Sequence, residues 1–364
     1  MKFRLFAWAV LMIIAAAGLQ GAAAGENPSE EQIMLTDGLG RDVVIDAPVE
    51  RIVVAGRANL FLVNAVYLFP EAADRVQALA QTDQGLGDFY PYLDPDYPEK
   101  RRMSNSAGVE EIISLSPDLV ILKDSSYQDT GPQLERLQVP VLTLGLESYE
   151  AYIDDIRLLG RVFDNPERAE EVTALLTGMV ETVRQTSAEA ADRPRVLMLS
   201  SAAREGSTVY QVPPADWIQT FMTETAGGIP VWSAFHQSGG WRSVNFEQIA
   251  QWDPDMIFLI SYSRPVSQAV DVIEASPQWQ ELRAYTSGSV LPFPGDYHSW
   301  AQADIRWFLG LQWLAAQLHP QQYSRIDMQQ EVIDFYGSLY GISEKTVTDA
   351  ILPRLKEELP GRIK

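Results

Sequence analysis

The fold is decided by a pattern that occurs twice, as VEEIISLSPDLVIL at residues 109–122 and as FEQIAQWDPDMIFL at residues 246–259. In each copy, apolar residues at helical spacing precede a Pro-Asp turn, because proline ends a helix and disfavours helix in the residue before it. The apolar run after the aspartate indicates a strand buried on both faces, as in a parallel sheet. One repetition at this distance predicts two similar lobes, since a solenoid needs three or more shorter repeats.

Strand and helix signals alternate on both sides of the first copy. Apolar runs at 51–55 and 76–80 predict two buried strands before it, and the run at 139–144 predicts one after it. A small hairpin is expected at 33–45, where glycines mark the turn. This alternation predicts a doubly wound α/β lobe with a parallel sheet over residues 33–147.

A helical region and a second lobe are expected after the first lobe. Residues 148–192 keep apolar side chains at helical spacing without a strand signal, interrupted at Asn165-Pro166. Residues 193–364 open on an apolar run like that at 51–55 and end in helical patterns. The predicted fold is therefore α/β, with two doubly wound lobes of parallel sheet, one long helix joining them, and a ligand cleft between the lobes.

The first 24 residues are typical of a cleaved export signal. Lys2 and Arg4 precede an apolar run at 5–18, and a run of alanines ending at Ala24 supplies the cleavage pattern. The apolar run is short for a membrane span, which needs about 20 residues. The chain has no cysteine, which excludes disulfides, thiol chemistry and a lipid-bearing cysteine after the leader. We expect an exported protein of the periplasm, cleaved after Ala24.

Charge and motifs narrow the function classes. A net charge of −21 argues against a nucleic-acid partner, because binding phosphates calls for a basic surface. It suits a soluble protein that meets a basic surface elsewhere. The chain carries no Gly-x-Ser-x-Gly elbow, His-Glu-x-x-His pair or phosphate-binding loop. We therefore expect a monomeric binding protein, with neither enzymatic activity nor a cofactor.

The two Glu-x-Ile units before Pro117 and Pro254, the Arg-Ile-Val-Val opening at 51–54 and the helical linker resemble one family. It is the periplasmic binding proteins of ABC importers for ferric siderophores, haem and cobalamin. The resemblance covers nearly the whole chain from residue 51 onward. It implies a rigid linker helix, a small lobe closure, a metal chelate held in the cleft, and delivery of that chelate to an ABC permease dimer.

The resemblance also implies where the permease binds. In that family one acidic residue on each lobe docks onto arginines of the permease, and by position in the motif these are Glu110 and Glu247. A glutamate in the first turn of a helix also complements the helix dipole, which is the ordinary alternative. A pair of them, one on each lobe, would in addition read the spacing of the lobes.

Ligand residues are expected in the loops beyond the carboxyl ends of the strands. Those loops are rich in arginine and aromatic residues, which suit an anionic chelate with an organic shell. The candidates are Arg57, Asn59, Tyr90, Tyr127, Trp241, Tyr262, Arg264, Tyr297, His298 and Trp300. Trp241 is the strongest, since a tryptophan at the matching place faces the ligand in cobalamin-binding relatives. The alternatives are burial in the lobe core for Trp300, a loop position without a ligand role for Tyr90, and pairing with an aspartate for Arg57 and Arg264.

Direct capture of a bare metal ion is disfavoured. Zinc and manganese sites use several histidines with carboxylates, but His236 and His298 both fall in the second lobe and His319 stands at a helix end. His236 or His298 can still complete the coordination of a metal that is already chelated. A molybdate-like oxyanion stays open as the ligand, and an envelope enzyme or sensor stays open as the function. Loops 82–100 and 231–243 are expected to decide the ligand.

Overall fold

The computed structural model describes residues 31–204, 207–262 and 265–355. The expected leader at 1–24 lies outside the described residues. Within them the chain forms two α/β lobes and a helical connection, as the repeated pattern predicts. None of the helices in the described ranges is both long enough and apolar enough to cross a membrane.

The first lobe is built on a five-stranded sheet with a separate hairpin. Its strands are β1 (Glu31–Thr36), β2 (Asp42–Ala47), β3 (Ile52–Ala55), β4 (Val76–Ala80), β5 (Arg101–Met103), β6 (Leu119–Lys123) and β7 (Val141–Leu144). Its helices are α1 (Asn59–Val66), α2 (Ala72–Arg75), α3 (Val109–Ile113) and α4 (Tyr127–Arg136), with 3₁₀ turns at Tyr90–Tyr92, Tyr97–Glu99 and Asp124–Ser126. The sheet order is β5-β4-β3-β6-β7 and every pair is parallel. The order reverses between β3 and β6, which is where such sheets open a crevice for ligands.

The hairpin of β1 and β2 is antiparallel and lies beside β7. The Asp37 carboxylate, which is buried, accepts hydrogen bonds from the backbone nitrogen and hydroxyl of Thr143, at 3.2 and 2.6 Å. Gly38 donates to the Thr143 carbonyl at 2.9 Å. These bonds fix the predicted hairpin to the edge of the first sheet.

The connection between the lobes consists of two helices, α5 (Tyr149–Val162) and α6 (Pro166–Ala188), where the sequence analysis expected one long helix. The break falls at the predicted place, because the Asn165 side chain caps α6 by accepting from the Arg168 nitrogen and Pro166 takes the first helical position. Helix α5 packs along α6. The bridge to the second lobe is therefore α6 alone, with 23 residues.

The second lobe holds a six-stranded sheet and the remaining helices. Its strands are β8 (Arg195–Arg204), β9 (Ser207–Val212), β10 (Ile229–Pro230), β11 (Arg242–Val244), β12 (Met256–Ile260) and β13 (Val290–Pro292). Its helices are α7 (Ile218–Thr225), α8 (Phe246–Trp252), α9 (Ser267–Glu274), α10 (Pro277–Gln280), α11 (Arg283–Thr286), α12 (Trp307–Leu318), α13 (Met328–Tyr340), α14 (Glu344–Thr346) and α15 (Leu352–Leu355), with a π-helical turn at Val347–Ile351.

The second sheet is mixed, which corrects the expectation of a parallel sheet in this lobe. Strands β10, β12 and β13 run parallel to β8, but β9 is antiparallel to both β8 and β11. The physical reason is the short connection, because β8 ends at Arg204 and β9 begins at Ser207. A parallel pair needs a crossover of a dozen or more residues, and two residues allow only an antiparallel return.

One hydrophobic core runs through both lobes. Its buried side chains extend from Leu35 in the hairpin to Leu355 in α15, and they include residues of α5, α6 and α12. A smaller cluster around Val53 and Val120 covers the other face of the first sheet. The lobes are therefore packed against each other as well as joined by α6. Separating them would expose apolar surface to water, which costs about 25 cal/mol of free energy for each Å² exposed.

Candidate functional site

One end of the cleft between the lobes is closed by the loop after β4 and the loop after β13. The His298 ring nitrogen Nε2 lies 3.1 Å from the Thr82 carbonyl oxygen of the first lobe. The Arg306 guanidinium stands 4.8 Å from the centre of the Phe89 ring, a cation–π contact between the lobes. Loop 82–100, expected to select the ligand, thus packs on the second lobe.

A buried charge network holds this closed end. Arg306 is fully buried and forms ion pairs with Asp296 at 2.9 Å and Asp304 at 3.1 Å. Tyr336 donates a hydrogen bond to Asp296 at 2.6 Å, and the Trp300 indole donates to the same carboxylate at 3.2 Å. Burial raises the pKa of Asp304 to about 6, against the lowering effect of Arg306. Paired charges in a dry interior fix geometry, and breaking one pair is costly.

Four predicted ligand residues lie in or beside this closed end. Tyr90, Tyr297, His298 and Trp300 are each at most 2% exposed. Burial, followed by the charge of Arg306, lowers the pKa of His298 to about 3, so the imidazole is neutral. The structure brings these four side chains together as parts of the packed interface between the lobes, which offers a ligand almost no free surface.

The other histidine candidate, His236, is also buried and hydrogen-bonded. His236 is 7% exposed, and its Nε2 lies 2.6 Å from the Gly240 carbonyl oxygen. Among the described residues no three or more histidine, aspartate and glutamate side chains are grouped so that they could hold a metal ion.

Three aromatic rings of the second lobe lie next to one another, and we call them the aromatic trio: Trp217, Trp241 and Tyr262. We call this side of the cleft its open end, because each of these rings keeps exposed surface. The ring centres of Trp217 and Trp241 are 6.0 Å apart, and those of Trp241 and Tyr262 are 5.9 Å apart, both in edge-to-face geometry. Each of the three is half-buried and so keeps surface for a contact. They come from the segment before α7, the loop before β11 and the loop after β12, which the fold brings together.

Glu147 of the first lobe lies beside the segment that carries Trp217. Glu147 follows β7 and pairs at 3.2 Å with the buried ammonium of Lys123, at the end of β6. Its backbone carbonyl accepts a hydrogen bond at 3.2 Å from Ile218, the residue after Trp217. Burial, then the charge of Glu147, raises the pKa of the Tyr262 phenol.

Lys123 is the charged group that acts most strongly on Glu147. Burial raises the pKa of Glu147, Lys123 opposes that effect, and the charges of Asp124 and Asp216 add to it. Lys123 is itself shared, because its Nζ also lies 2.9 Å from Asp124 and donates to the Gly145 carbonyl. The open end therefore combines aromatic surface with a half-exposed acidic group.

Arg57 lies at the crevice of the first sheet. Its guanidinium is largely exposed and pairs with Asp129 at 3.0 Å, the alternative that the sequence left open. The pair lines a cavity of about 560 Å³ together with Gly56, Ser104 and Ser126. This cavity is formed by the first lobe alone, by loops together with α4 and the start of α3, and it has room for the polar edge of a ligand.

The three remaining candidates, Tyr127, Asn59 and Arg264, lie in different surroundings. Tyr127 donates a hydrogen bond to Glu135 at 2.8 Å, and the guanidinium carbon of Arg41 lies 3.9 Å from the centre of its ring. Tyr127 therefore packs along α4. Asn59 is buried at the start of α1 with neither amide atom bonded to protein. Arg264 lies outside the described residues.

Sequence reasoning missed Trp217 and Glu147. Trp217 stands directly before α7, which begins at Ile218, and not in a loop that follows a strand of the predicted sheet. Glu147 stands directly beyond the carboxyl end of β7, so the rule that ligands gather there could have found it.

The two proposed docking residues occupy matching positions. Glu110 lies in the first turn of α3 and Glu247 in the first turn of α8, and both are exposed. An acidic side chain at a helix start is favoured by the helix dipole, so position alone explains part of their presence.

Two α/β lobes bridged by one helix, with a cleft between the carboxyl edges of their sheets, define the class of two-lobe solute-binding proteins. A family model described as periplasmic binding protein matches residues 66–297, more than half of the chain, and the chain belongs to that family. The resemblance drawn from the repeated pattern is thereby confirmed at the level of the family.

Individual relatives are distant but cover most of the chain. The molybdate-binding protein MolA of Haemophilus influenzae is 24% identical over 338 residues, 86% of this chain and 92% of its own. A periplasmic solute-binding protein of Veillonella parvula has a similar structure, with a TM-score of 0.69 and 21% identity over 90% of this chain and 99% of its own. CeuE of Helicobacter pylori, in a complex with nickel and histidine, gives a TM-score of 0.70 at 17% identity, over 88% of this chain and 99% of its own.

Proposed function

We propose that this protein is the solute-binding component of an ABC importer, and that it captures a metal chelate and delivers it to the permease. The observation that carries the proposal is the aromatic trio at the open end of the cleft. Aromatic rings with free faces cover the organic shell of a chelate, and a bare ion has no such shell to cover. Trp241 and Tyr262 are the contacts proposed from the sequence, and Trp217 joins them.

Other features support the same function. The charge network at the closed end and the single bridging helix favour a small lobe movement, so the ligand would enter and leave at the open end. The apolar leader with its basic start supports export to the periplasm before folding. Among relatives of this fold, CeuE is described with nickel and histidine, which together make a small chelate.

An oxyanion is the second candidate ligand. The observation that favours it is the similarity to a molybdate-binding protein over 86% of this chain. A tetrahedral oxyanion would need several converging donors, and Arg57 at the crevice of the first sheet is the exposed cation best placed to supply some of them. This candidate predicts binding centred on the first-lobe cavity instead of on the aromatic trio.

Tryptophan fluorescence of the mature protein can test the proposal. Ferric catecholate and hydroxamate complexes, haem, a corrinoid and molybdate are titrated separately against the protein. A bound chelate should quench the emission, and Trp241→Ala should weaken its binding by about tenfold, the value of one good aromatic contact. Trp252→Phe is the matched control, because the Trp252 carbonyl accepts from Arg195 at the opposite end of the sheet. A response to molybdate alone, insensitive to Trp241→Ala, would favour the second candidate.

A further inference from the structure

Arg168 lies at the junction of the two lobes and the bridging helix. It stands in the first turn of α6, where its backbone nitrogen donates to the capping side chain of Asn165. Its guanidinium donates from Nε to the Leu68 carbonyl of the first lobe at 3.0 Å. From Nη2 it donates to the Leu339 and Ser338 carbonyls of the second lobe, at 2.6 and 3.2 Å. One side chain of the bridge therefore bonds both lobes directly.

The chemistry of these bonds suits an arginine. Ser338 and Leu339 lie in the last turn of α13, where carbonyls lack partners within the helix and carry the negative end of its dipole. A guanidinium is planar and charged, with five N–H donors in a fixed fork, so it can hold carbonyls on two sides at once. The remaining nitrogen, Nη1, pairs with Glu171 of α6 at 2.6 Å, and the Arg168 side chain is only 16% exposed. The fork is thus held in one orientation.

The junction lies away from the cleft edge of the first sheet. Strands β3 and β4 are parallel, so the chain that leaves the carboxyl edge after β3 returns to the amino edge before β4 begins. Leu68 stands on this return path, two residues beyond the end of α1. A rotation of the lobes about this junction would change the width of the cleft at the opposite edge of the sheet.

Apolar packing fills the junction only in part. A cavity of about 420 Å³ adjoins the guanidinium, with a lining that comes from the first lobe, α6 and α13 and includes Phe69, Arg168 and Leu339. Close-packed interiors resist deformation because they contain few voids, and a void of this size leaves the backbone beside it room to shift. Tyr340 adds one more bond between the lobes here, from its hydroxyl to the Asn64 carbonyl at 2.9 Å. Hydrogen bonds therefore contribute much of what holds the lobes together at this point.

We propose that Arg168 is a positioning residue that fixes the angle between the lobes, and with it the width of the cleft, by holding the ends of α1 and α13 at one separation. The inference goes beyond the proposed function, because it concerns the geometry of the lobes and holds for any ligand that the cleft takes. Without the guanidinium, the carbonyls of Leu68 and Leu339 can bond to water in its place. The lobes then adopt more than one spacing.

Spin labels can measure this spacing, since the chain has no cysteine of its own. Ser114→Cys and Gln251→Cys put one label at matching, exposed positions of the two copies, and double electron–electron resonance gives the distance between them without any ligand. In Arg168→Ala the population with a displaced spacing should rise about tenfold, because a hydrogen bond to a charged group contributes about that factor to an equilibrium constant. Arg168→Lys should change the spacing in the same direction, since an ammonium lacks the fork. The matched control is Arg157→Lys, which alters a pair with Glu170 inside the connection and should leave the spacing as in the wild type.

A label pair within the first lobe, Ser114→Cys with Asp42→Cys, separates a change of lobe angle from a loss of fold. A change confined to the pair that spans the lobes would support the inference. Unchanged spacing in both Arg168 variants, or an equal change in Arg157→Lys, would overturn it. Broadening of the pair within the first lobe to the same extent would also overturn it, because Arg168 would then only stabilise the fold. If Arg168→Ala does not fold, Arg168→Lys decides alone. Ligand titrations test the proposed function separately, so the failure of either leaves the other standing.

Discussion

The two copies of the repeated stretch form the same connection between helix, turn and strand in both lobes, and we call this connection the joint. The two joints differ in the contacts that stabilise them. In the first copy the Asp118 carboxylate accepts from the Arg51 nitrogen at 2.9 Å and pairs with the Arg51 guanidinium. In the second copy Asp255 accepts from the Arg195 nitrogen at 2.7 Å. In each lobe the aspartate after the proline thus anchors the chain just before the central strand of the sheet, β3 or β8.

The difference lies in what surrounds each aspartate. In the second lobe Arg283 of α11 pairs with both Asp253 and Asp255, so that joint has an additional support. In the first lobe Asp118 also accepts from the Glu50 nitrogen at 3.1 Å, and one carboxylate carries the joint. The comparison teaches that a repeated motif fixes the joint between helix, turn and strand, while neighbouring segments decide how much each copy contributes to stability.

The largest expected effect concerns docking on the permease, which would need one glutamate from each copy. If Glu110 and Glu247 read the spacing of the lobes at the permease, each single alanine variant should reduce uptake and Glu110→Ala with Glu247→Ala should reduce it by more than tenfold. Ligand affinity should not change, because both side chains are exposed on helix starts. The measurement is uptake in cells that carry the permease, with binding measured on purified protein.

The matched control is Glu111→Ala, which alters a neighbouring acid that pairs with Arg101. Normal uptake by the double variant would leave the two glutamates with only the helix-dipole role.

Removing the anchoring aspartate should destabilise the protein more in the first lobe than in the second. Asp118→Ala leaves the Arg51 and Glu50 nitrogens without their acceptor and should lower the free energy of unfolding by about 3 kcal/mol. Asp255→Ala should cost about 2 kcal/mol, because Arg283 keeps its pair with Asp253. Urea unfolding of both variants gives the comparison. Equal losses would mean that Arg283 adds nothing to the second joint.

The outline of the fold could be predicted from the sequence because it follows from local signals. Prolines and apolar runs mark the strands and turns of both copies, and the interruption at Asn165-Pro166 marks the break between α5 and α6. The antiparallel β9 could not be placed, since pairing across the sheet depends on contacts distant in sequence. A strand-length apolar run carries no sign of its direction.

The candidate site was predictable only in part, for a related reason. Trp241 and Tyr262 are predicted from the rule that ligand residues lie in loops beyond the carboxyl ends of strands, and the structure places them in one group with Trp217. Whether an aromatic residue in such a loop faces the cleft or the other lobe depends on how the lobes pack. Trp300 points into the charge network around Asp296 for that reason, and composition alone cannot show it.

The helix caps should give a smaller contrast between the copies. Asn245 caps α8 by accepting from the Gln248 nitrogen at 2.8 Å, and Asn245→Ala should cost about 1 kcal/mol of unfolding free energy. Gly108, at the corresponding position before α3, has extended backbone and no side chain to cap with. Open space surrounds the position that its Cβ would take. Gly108→Asn should therefore stabilise the protein by a few tenths of a kcal/mol in thermal unfolding. A destabilised Gly108→Asn variant would show that α3 begins differently from α8.

The smallest expected effect concerns the residue before each proline. Ser116 and Asp253 both adopt left-handed backbone, with φ of 47° and 40°, which costs a non-glycine residue about 1 kcal/mol. Ser116→Gly removes that strain but adds entropy to the unfolded chain, so the net gain should be about 0.5 kcal/mol. Asp253→Gly should instead destabilise, because Arg283 loses the Asp253 carboxylate, 3.0 Å away. If the two substitutions change the free energy of unfolding in opposite directions in urea titrations, an ion pair offsets the backbone strain in the second lobe and not in the first. Equal gains would mean that this ion pair, exposed to water, adds no stability to the joint.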